Sequence, residues 1–188
     1  MLLQANFIQS IIVMDEISLN RLQQLHPKLR HIAIEAYTEA YNALTGPAKP
    51  RVTLVYRTFE QQQALYNQGR TTPGPIVTNA KAGESYHCYR LSFDFCLLID
   101  GKEISWNVAK DYDKDGKADW MEVVWCFVKR GFTWGADWDG DGVTKAQGDK
   151  DEKLVDAPHL QMTFGYHWRD LLAMHNAGKL DKDGNVLI

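Results

Sequence analysis

The sequence predicts a single domain of the α+β class. Three observations lead to this expectation: apolar residues recur at helical spacing over residues 18–44, they alternate over residues 51–57 and 92–99, and glycine- and proline-containing turns separate these segments. No internal repeat and no low-complexity linker divides the chain of 188 residues, which is a suitable length for one domain.

The first predicted element is helical and covers residues 18–44. Leu29 and Ile32 are among the apolar residues that recur at the spacing of one helix face. Pro27 precedes them, and because proline fits the first turn of a helix but not its interior, we expect the longer helix to begin there. Residues 45–50 are expected to form a loop.

A strand and a capped helix are expected next. Residues 51–57 alternate, and every second residue from Val52 onward should face one side of a sheet. Thr58 can cap the following helix, because Gln61 three residues later completes a capping box. This helix is expected to run to about residue 68.

The rest of the chain predicts two further strands and two further helices. They are a strand over residues 92–99 that turns at Asp100 and Gly101, a helix over residues 121–129 ended by Gly131, a strand over residues 160–164 and a last helix over about residues 166–177.

Composition excludes several classes of protein. The formal net charge of -3, without a local run of Lys and Arg, argues against a nucleic-acid partner. Three cysteines without a CxxC spacing favour folding in a reducing compartment. The N-terminus lacks a basic leader, and no stretch approaches the ~20 apolar residues of a membrane span. We therefore expect no signal peptide and no membrane insertion. A monomer is expected as well.

A carboxylate inside an apolar strand is the first indication of a functional site. Asp94 interrupts the apolar run of residues 92–99, and a buried carboxylate is costly unless a cation or a strong donor compensates it. His87 precedes this strand, and His159 begins the predicted strand near residue 160. If the apolar faces of both strands pack on the core, Asp94 and His159 share one cleft, which His87 can close.

Two histidines and one aspartate are the ligand set of a catalytic zinc ion with one position open for water. Asp156, three residues before His159, could activate that water, and Arg57 at the end of its strand could stabilise an oxyanion. The alternative is that these residues are scattered over loops and the surface, because their spacing alone is common.

The motif around His87 also resembles a known family. The stretch from Ser85 through His87 to Asp94 resembles the S-x-H-x(6)-D signature of zinc peptidases that cut bacterial cell-wall peptides. This family contains D-Ala-D-Ala carboxypeptidases and dipeptidases of the vancomycin-resistance type and phage endolysins that cleave the L-alanyl-D-glutamate bond. The endolysin branch is the most similar, since the likeness extends over residues 56–70, 73–83, 132–138 and 156–161.

The resemblance implies roles for individual residues. His87, Asp94 and His159 would bind zinc, Asp156 would be the general base, and Arg57 would stabilise the transition state. Further candidates for contact with the substrate are Ser85, Tyr86, Arg90, Asp137 and Gln161.

The resemblance also implies a Hedgehog/D-Ala-D-Ala-peptidase-like fold, in which helices flank a small antiparallel sheet and the zinc lies in a cleft over the sheet. Residues 1–16 would be an N-terminal extension. Residues 17–188 would be one catalytic domain without a separate cell-wall-binding domain. The chain departs from the family where Arg90 replaces a glycine and Ser92 an alanine. Arg90 could narrow the cleft, bind a substrate carboxylate or weaken activity.

Residues 111–122 match the twelve-residue calcium loop of the EF-hand. The candidate ligands are Asp111, Asp113, Asp115, Lys117, Asp119 and Glu122. Carboxylates this close repel one another unless a cation is present. A solvated acidic turn is the alternative, because residues 106–110 are too few to ensure a preceding helix. A bound calcium would be structural. A similar loop begins at Asp137 but has Gly148 at its twelfth position, and Asp137 could instead line the cleft.

The function implied is that of a zinc metallopeptidase, an endolysin of the L-alanyl-D-glutamate endopeptidase type. Zinc-bound water, assisted by Asp156, would attack the stem peptides of peptidoglycan. The chain would be made in the cytoplasm and reach the cell wall after holin-type release. Two alternatives stay open. One is a D-Ala-D-Ala carboxypeptidase or dipeptidase, and the other is a non-catalytic metal-binding module for cell-wall peptides.

Overall fold

The computed structural model describes residues 14–142 and 155–188. The helices are α1 (Glu16–Leu22), α2 (Pro27–Ala43), α3 (Phe59–Asn67), α4 (Asp119–Val128) and α5 (Trp168–Asn176), with a one-turn 3-10 helix at Tyr86–Tyr89. The strands are β1 (Ala48–Leu54), β2 (Ser92–Ile99), β3 (Glu103–Ser105), β4 (Thr133–Trp134) and β5 (His159–Gln161). Residues 1–13 of the expected N-terminal extension lie outside the described residues. Helix α1 begins at Glu16, the last residue of that extension.

The five strands form one antiparallel sheet with the order β1-β2-β5-β4, in which β3 also pairs with β2. β2 is therefore the central strand, and its start lies between β1 and β5. Helices flank this small sheet, which confirms the α+β class predicted from the sequence.

One face of β2 builds the core of the domain. Phe93 and Phe95 lie on the face of β2 that is turned toward the helices and are both buried. The Phe93 ring contacts Phe127 of α4, with ring centroids 4.9 Å apart. Phe95 lies 4.4 Å from the ring of Trp120, which is fully buried at the start of α4. Because side chains alternate across a strand, Asp94 between them points to the opposite face.

The predicted helix starts are confirmed by their caps. Pro27 is the first residue of α2, and the His26 side chain accepts a hydrogen bond from the backbone N–H of Lys28. Thr58 and Gln61 form the reciprocal capping box at the start of α3. These caps hold the N-terminal N–H groups that no intrahelical carbonyl can satisfy.

The predicted bounds of β1 are wrong at both ends. The strand begins at Ala48 rather than at residue 51, and Pro50 is tolerated because β1 is an edge strand that needs no donor on its free side. Its pairing with β2 shifts between Val52 and Leu54, so Thr53 is an extra residue. The alternation reverses there, and Val55 is buried.

The other deviations concern short elements. β5 ends at Gln161 instead of residue 164, and Phe164 adopts a positive φ of 53° that no strand residue has. The three residues of β3 and the 3-10 helix escape prediction because they are too short to show a period. None of the helices formed by residues 14–142 and 155–188 combines the length and apolar character that crossing a bilayer requires.

Candidate metal centre

The structure brings His87, Asp94 and His159 together in one group. The Asp94 Oδ1 atom lies 3.3 Å from His87 Nε2 and 3.2 Å from His159 Nδ1. All three potential ligand atoms lie within 4.8 Å of one another. A nitrogen from each of two imidazoles and a carboxylate oxygen therefore converge on one point, as a tripod of metal ligands does.

The outer nitrogens of both imidazoles have acceptors. His87 Nδ1 lies 2.9 Å from the carbonyl oxygen of Val55, and His159 Nε2 lies 3.1 Å from Gln161 Oε1. With a metal ion bound, these acceptors would hold the proton of each neutral ring on the outer nitrogen. The inner nitrogens, His87 Nε2 and His159 Nδ1, would then be free to bind the ion together with Asp94. The donors present therefore fit a metal ion.

Sheet pairing and one helical turn position the three side chains. Asp94 of β2 and His159 of β5 are direct partners in the antiparallel register. His87 lies in the 3-10 helix, and its carbonyl accepts a hydrogen bond from the Arg57 N–H over 3.3 Å. The ring of His87 meets that of His159 edge to face, with centroids 4.9 Å apart.

Electrostatics in the metal-free protein couple Asp94 to the histidines. Burial alone would raise the pKa of Asp94, but hydrogen bonds and charge from His159 and His87 hold this pKa well below its usual range. Burial alone would lower the pKa of His159, but Asp94 and Asp156 outweigh it and raise that pKa. The cluster therefore favours positive charge at its centre.

Asp156 and Arg57 lie in the same cleft as the three candidate ligands. Loss of hydration raises the pKa of Asp156, with a further contribution from the charge of Asp94, while His159, His87 and Arg57 oppose the shift. Asp156 is nevertheless accessible to solvent, and the upward shift of its pKa makes the carboxylate a better proton acceptor than an ordinary aspartate.

The close approach of the Asp156 backbone explains why position 135 is a glycine. A Cβ atom at this position would lie 2.3 Å from the carbonyl oxygen of Asp156 and 3.1 Å from Cβ of His159. The Gly135 N–H donates to the His159 carbonyl, and the Asp156 N–H donates to the Gly135 carbonyl. This close backbone pairing fixes the turn that carries Asp156 and His159, both of which line the cleft.

The cleft is large and is open to solvent. It has a volume of about 1110 Å³. Its walls are formed by residues of α3, the 76–80 segment, the 3-10 helix, the sheet and the start of α5: Leu65, Ile76, Val77, Thr78, Asn79, Ala80, Glu84, Ser85, Tyr86, Trp138, Asp139, Gln161, His167 and Trp168.

Of the residues predicted around the substrate, Ser85, Tyr86 and Gln161 line this cleft. Arg90 is not among the residues of this lining, and its contact with substrate stays a prediction. It has a left-handed backbone with φ of 62°, and its guanidinium lies over the Tyr56 ring, 4.2 Å from the centroid, beside a separate cavity of about 250 Å³. A glycine is favoured at such a φ, which fits the glycine that the resemblance implies at this position.

Asp137 is also absent from the cleft lining, because its carboxylate accepts hydrogen bonds from the N–H groups of Gly140 and Gly142. The neighbouring Trp138 lines the cleft in its place, with its ring 5.6 Å from that of His159. The segment that begins at Asp137 thus borders the cleft, and contact of Asp137 itself with substrate stays a prediction.

Gln62 is a site residue that sequence reasoning missed. It is fully buried in α3, its Oε1 atom accepts a hydrogen bond from Arg57 over 2.8 Å, and its Nε2 atom donates to the Ala80 carbonyl over 2.7 Å. Gln62 therefore connects the arginine to one wall of the cleft. A polar residue within the buried face of a predicted helix is the signal that could have found it.

The acidic loop over residues 111–122 lies apart from this cleft. The carboxylates of Asp111, Asp113 and Asp115 form one group of potential metal ligands, and those of Asp113, Asp119 and Glu122 form a second. The related loop that begins at Asp137 brings together Asp137, Asp139 and Asp141. Its twelfth position, Gly148, lies outside the described residues.

Comparisons with known proteins agree with the motifs. Residues 78–143, which include His87 and Asp94, match a peptidase family model described as D-alanyl-D-alanine carboxypeptidase. The peptidoglycan L-alanyl-D-glutamate endopeptidase CwlK of Bacillus subtilis (strain 168) is 41% identical over 111 residues, which are 59% of this chain and 59% of that protein. The chain thus spans less than two thirds of the length of that curated relative.

A solved structure, the L-Ala D-Glu endopeptidase ChiX of Serratia marcescens, matches with a TM-score of 0.49 and 17% sequence identity, covering 82% of this chain and 90% of that one. The resemblance that the motifs predict is confirmed by the family match and by CwlK: residues 78–143 carry the signature of the peptidase family described as D-alanyl-D-alanine carboxypeptidase.

Proposed function

We propose that this protein is a zinc-dependent peptidase that hydrolyses a peptide bond within the stem peptides of bacterial peptidoglycan, as an L-alanyl-D-glutamate endopeptidase does. The observation that carries the proposal is the convergence of His87 Nε2, Asp94 Oδ1 and His159 Nδ1, with the outer nitrogen of each imidazole held by an oxygen acceptor. The relative CwlK, named for this activity, supports the choice of substrate.

The donor set favours zinc over calcium and magnesium. Two imidazole nitrogens and one carboxylate suit Zn²⁺, whereas Ca²⁺ and Mg²⁺ prefer sites made only of oxygen. The acceptors on the outer nitrogens, Val55 and Gln161, fix the orientation and tautomer of each ring. A zinc ion held here would acidify a water molecule and polarise the substrate carbonyl.

The chain supplies the proton transfer and part of the charge stabilisation. Asp156, with its raised pKa, accepts the proton of the attacking water and delivers it to the departing amine. Arg57, held by Gln62, donates hydrogen bonds to the oxyanion that forms at the attacked carbonyl. Both residues lie in the cleft that contains the candidate zinc ligands.

Two features favour an endopeptidase over a D-Ala-D-Ala carboxypeptidase or dipeptidase. The cleft volume of about 1110 Å³ exceeds the roughly 300–1,000 Å³ of sites for small molecules, so it has room for an extended peptide. A carboxypeptidase needs a cation for the terminal carboxylate in addition to one for the oxyanion. Among the described residues that line the cleft, Arg57 is the single Lys or Arg.

Action on the cell wall follows from the proposed substrate. The endolysin role and holin-type release stay predictions, as does the monomeric state. A non-catalytic metal-binding module for cell-wall peptides is the alternative of a different class, and one substitution separates it from an enzyme.

The test is hydrolysis of purified sacculi, followed by mass analysis of the released fragments. The zinc-loaded protein should release fragments cut between L-alanine and D-glutamate. Asp156→Ala should lower the rate by about 10²–10⁴-fold, the range that general acid–base catalysis contributes, while the bound zinc stays near one equivalent. Asp183→Ala, in an exposed turn outside the cleft, is the matched control and should retain full activity.

Each other outcome selects a different function. Release of terminal D-alanine alone would identify a carboxypeptidase. Zinc binding without any cleavage of sacculi would identify a binding module. Full activity of Asp156→Ala would remove Asp156 from the mechanism.

A further inference from the structure

The acidic loop of residues 111–122 contains buried carboxylate oxygens that no described group satisfies. Asp119 is fully buried; its Oδ1 atom accepts a hydrogen bond from the Tyr112 N–H over 2.8 Å, but its Oδ2 atom has no partner among the described residues. Glu122 Oε2 is likewise buried without a hydrogen-bond partner there. Buried, unpaired carboxylate oxygens are costly and call for a cation.

The other acidic side chains converge on the same place. Asp113 is shared between the two groups of oxygens that lie within 4.8 Å of one another, one with Asp111 and Asp115 and the other with Asp119 and Glu122. The shared carboxylate joins both groups into one cluster.

The backbone has the form that an oxygen cage around a cation requires. Gly116, at the sixth position of the loop, has φ of 95°, which allows the sharp turn. Asp111 at the first position accepts hydrogen bonds from the N–H groups of Lys114 and Gly116, which curls the loop around its carboxylate. Helix α4 begins at the ninth position and carries Glu122 in its first turn.

We propose that this loop is a Ca²⁺ site, separate from the zinc centre. The ligands are the carboxylates of Asp111, Asp113, Asp115, Asp119 and Glu122 with the backbone carbonyl of Lys117. A ligand set made only of oxygens suits Ca²⁺, whereas zinc prefers sites that contain nitrogen or sulfur ligands.

The site connects three parts of the fold. Asp113 Oδ2 accepts hydrogen bonds from the backbone N–H of Thr45 over 3.0 Å and from its hydroxyl over 2.9 Å. Asp113 thereby joins the connection between α2 and β1 to the loop. On the other side, Trp120 of α4 packs on Phe95 of β2. A calcium ion bound here would therefore stabilise the packing of α2 and α4 on the sheet.

Lys117 occupies the position of a competing cation. Its ammonium lies 3.1 Å from Asp115 Oδ2 and 4.0 Å from Glu122 Oε1. Calcium has to displace this ammonium from the carboxylates, whereas the backbone carbonyl of Lys117 is unaffected by a change of side chain. Lys117→Gln should therefore bind calcium at least as tightly as the wild-type protein.

The experiment titrates CaCl₂ into zinc-loaded full-length protein that has been freed of calcium. The midpoint of thermal unfolding should rise with calcium, and Mg²⁺ at the same concentration should have a smaller effect. Tb³⁺, a calcium substitute, should luminesce on excitation of the nearby Trp120. Glu122→Gln should weaken calcium binding roughly tenfold or more, because the last loop ligand is normally bidentate. Glu35→Gln, exposed on α2, is the matched control.

Results of three kinds would overturn the proposal. They are a thermal midpoint that does not respond to calcium, a Glu122→Gln variant with the wild-type response, and equal responses to calcium and magnesium. Circular dichroism of Glu122→Gln without calcium verifies that the variant is folded. The readout is binding and stability, so it is independent of whether the protein cleaves peptidoglycan.

Discussion

A side chain at position 135 would collide with the backbone that carries both Asp156 and His159. Gly135→Ala places a Cβ atom 2.3 Å from the Asp156 carbonyl oxygen, a backbone atom that cannot rotate away. We expect the Asp156–His159 turn to shift and the hydrolysis rate to fall roughly 10²-fold, the effect of misplacing catalytic groups by about 1 Å. Steady-state kinetics on sacculi fragments and a zinc affinity measurement test this expectation; unchanged values of both would contradict it.

Gln62 offers a second test at this scale. Gln62→Leu leaves a guanidinium N–H of Arg57 and the carbonyl of Ala80 without their partner, which costs about 1–3 kcal/mol of stability. If Arg57 acts in the transition state, kcat falls, by up to the roughly 10²–10³-fold that loss of an oxyanion donor costs, while KM changes little. Kinetics and urea unfolding measure the two effects.

The neighbouring Gln63 provides the control for this substitution. Its side chain donates to Asn67 within the same helix and accepts a longer hydrogen bond of 3.4 Å from the Ala82 N–H. Because Gln63 lies outside the cleft lining, Gln63→Leu should keep the wild-type kcat. If kcat falls as much in Gln63→Leu as in Gln62→Leu, the loss of activity is due to a disturbance of helix α3 and not to the lost contact with Arg57.

Sequence reasoning brought Asp94 and His159 together as candidate ligands because a carboxylate is out of place in an apolar strand. Asp94 stands in an apolar strand, and the alternation of β2 and β5 places it on the face of His159. The position of Arg90 was not predictable in the same way, because a left-handed residue at the end of a one-turn helix changes the direction of its side chain. The partners of Gln62 are Arg57 and the Ala80 carbonyl, which lie outside helix α3, so the periodicity of the helix does not reveal them.

At the scale of elements, the capping box of α3 is the simplest quantity to measure. Thr58→Ala removes the acceptor for the Gln61 N–H and should lower the free energy of unfolding by about 1 kcal/mol. Urea denaturation gives this value directly. Because Arg57 immediately precedes the cap, a small loss of activity should accompany the loss of stability; no change in either would show that the cap is dispensable.

Long regular elements were predicted well, and short or irregular ones were not. β2 has the predicted bounds because eight residues suffice to establish alternation, and α2 begins at the predicted Pro27. β1 was misplaced because its extra residue, Thr53, reverses the pattern in mid-strand. β3 and β5 have three residues each, and pairing with β2 rather than their own composition creates them.

For the whole molecule, zinc should stabilise the fold in a pH-dependent manner. Without metal, the pKa of His159 lies above its usual value, so its charged pairing with Asp94 stabilises the fold below pH ~6.5 and is lost as the pH rises through the raised pKa. Zinc needs the neutral imidazole. The stabilisation by zinc should therefore increase with pH over the same range, where protons no longer compete.

Thermal unfolding with and without zinc at several pH values measures this linkage. At a zinc concentration 100 times the dissociation constant, the added stability is about 2.7 kcal/mol. Asp94→Asn should abolish most of the gain at every pH. A zinc effect that decreases as the pH rises would contradict the assignment of His159 as a ligand.

The single α+β domain was predictable because strand and helix signals follow one another without a linker. The arrangement of the strands in the sheet was not, because the order β1-β2-β5-β4 depends on pairings between residues more than sixty positions apart in sequence. The resemblance to a family implied a small antiparallel sheet but not the order of its strands.

The irregularity at Thr53 makes the length of an edge strand part of the chemistry. Beyond this residue the chain is one step out of phase with its first half, and in that phase the Val55 carbonyl meets the His87 ring and the Arg57 N–H meets the His87 carbonyl. Removing a single amino acid there would restore a regular pleat and turn both groups away. A deletion that a loop would tolerate should therefore leave a folded but metal-poor and inactive protein.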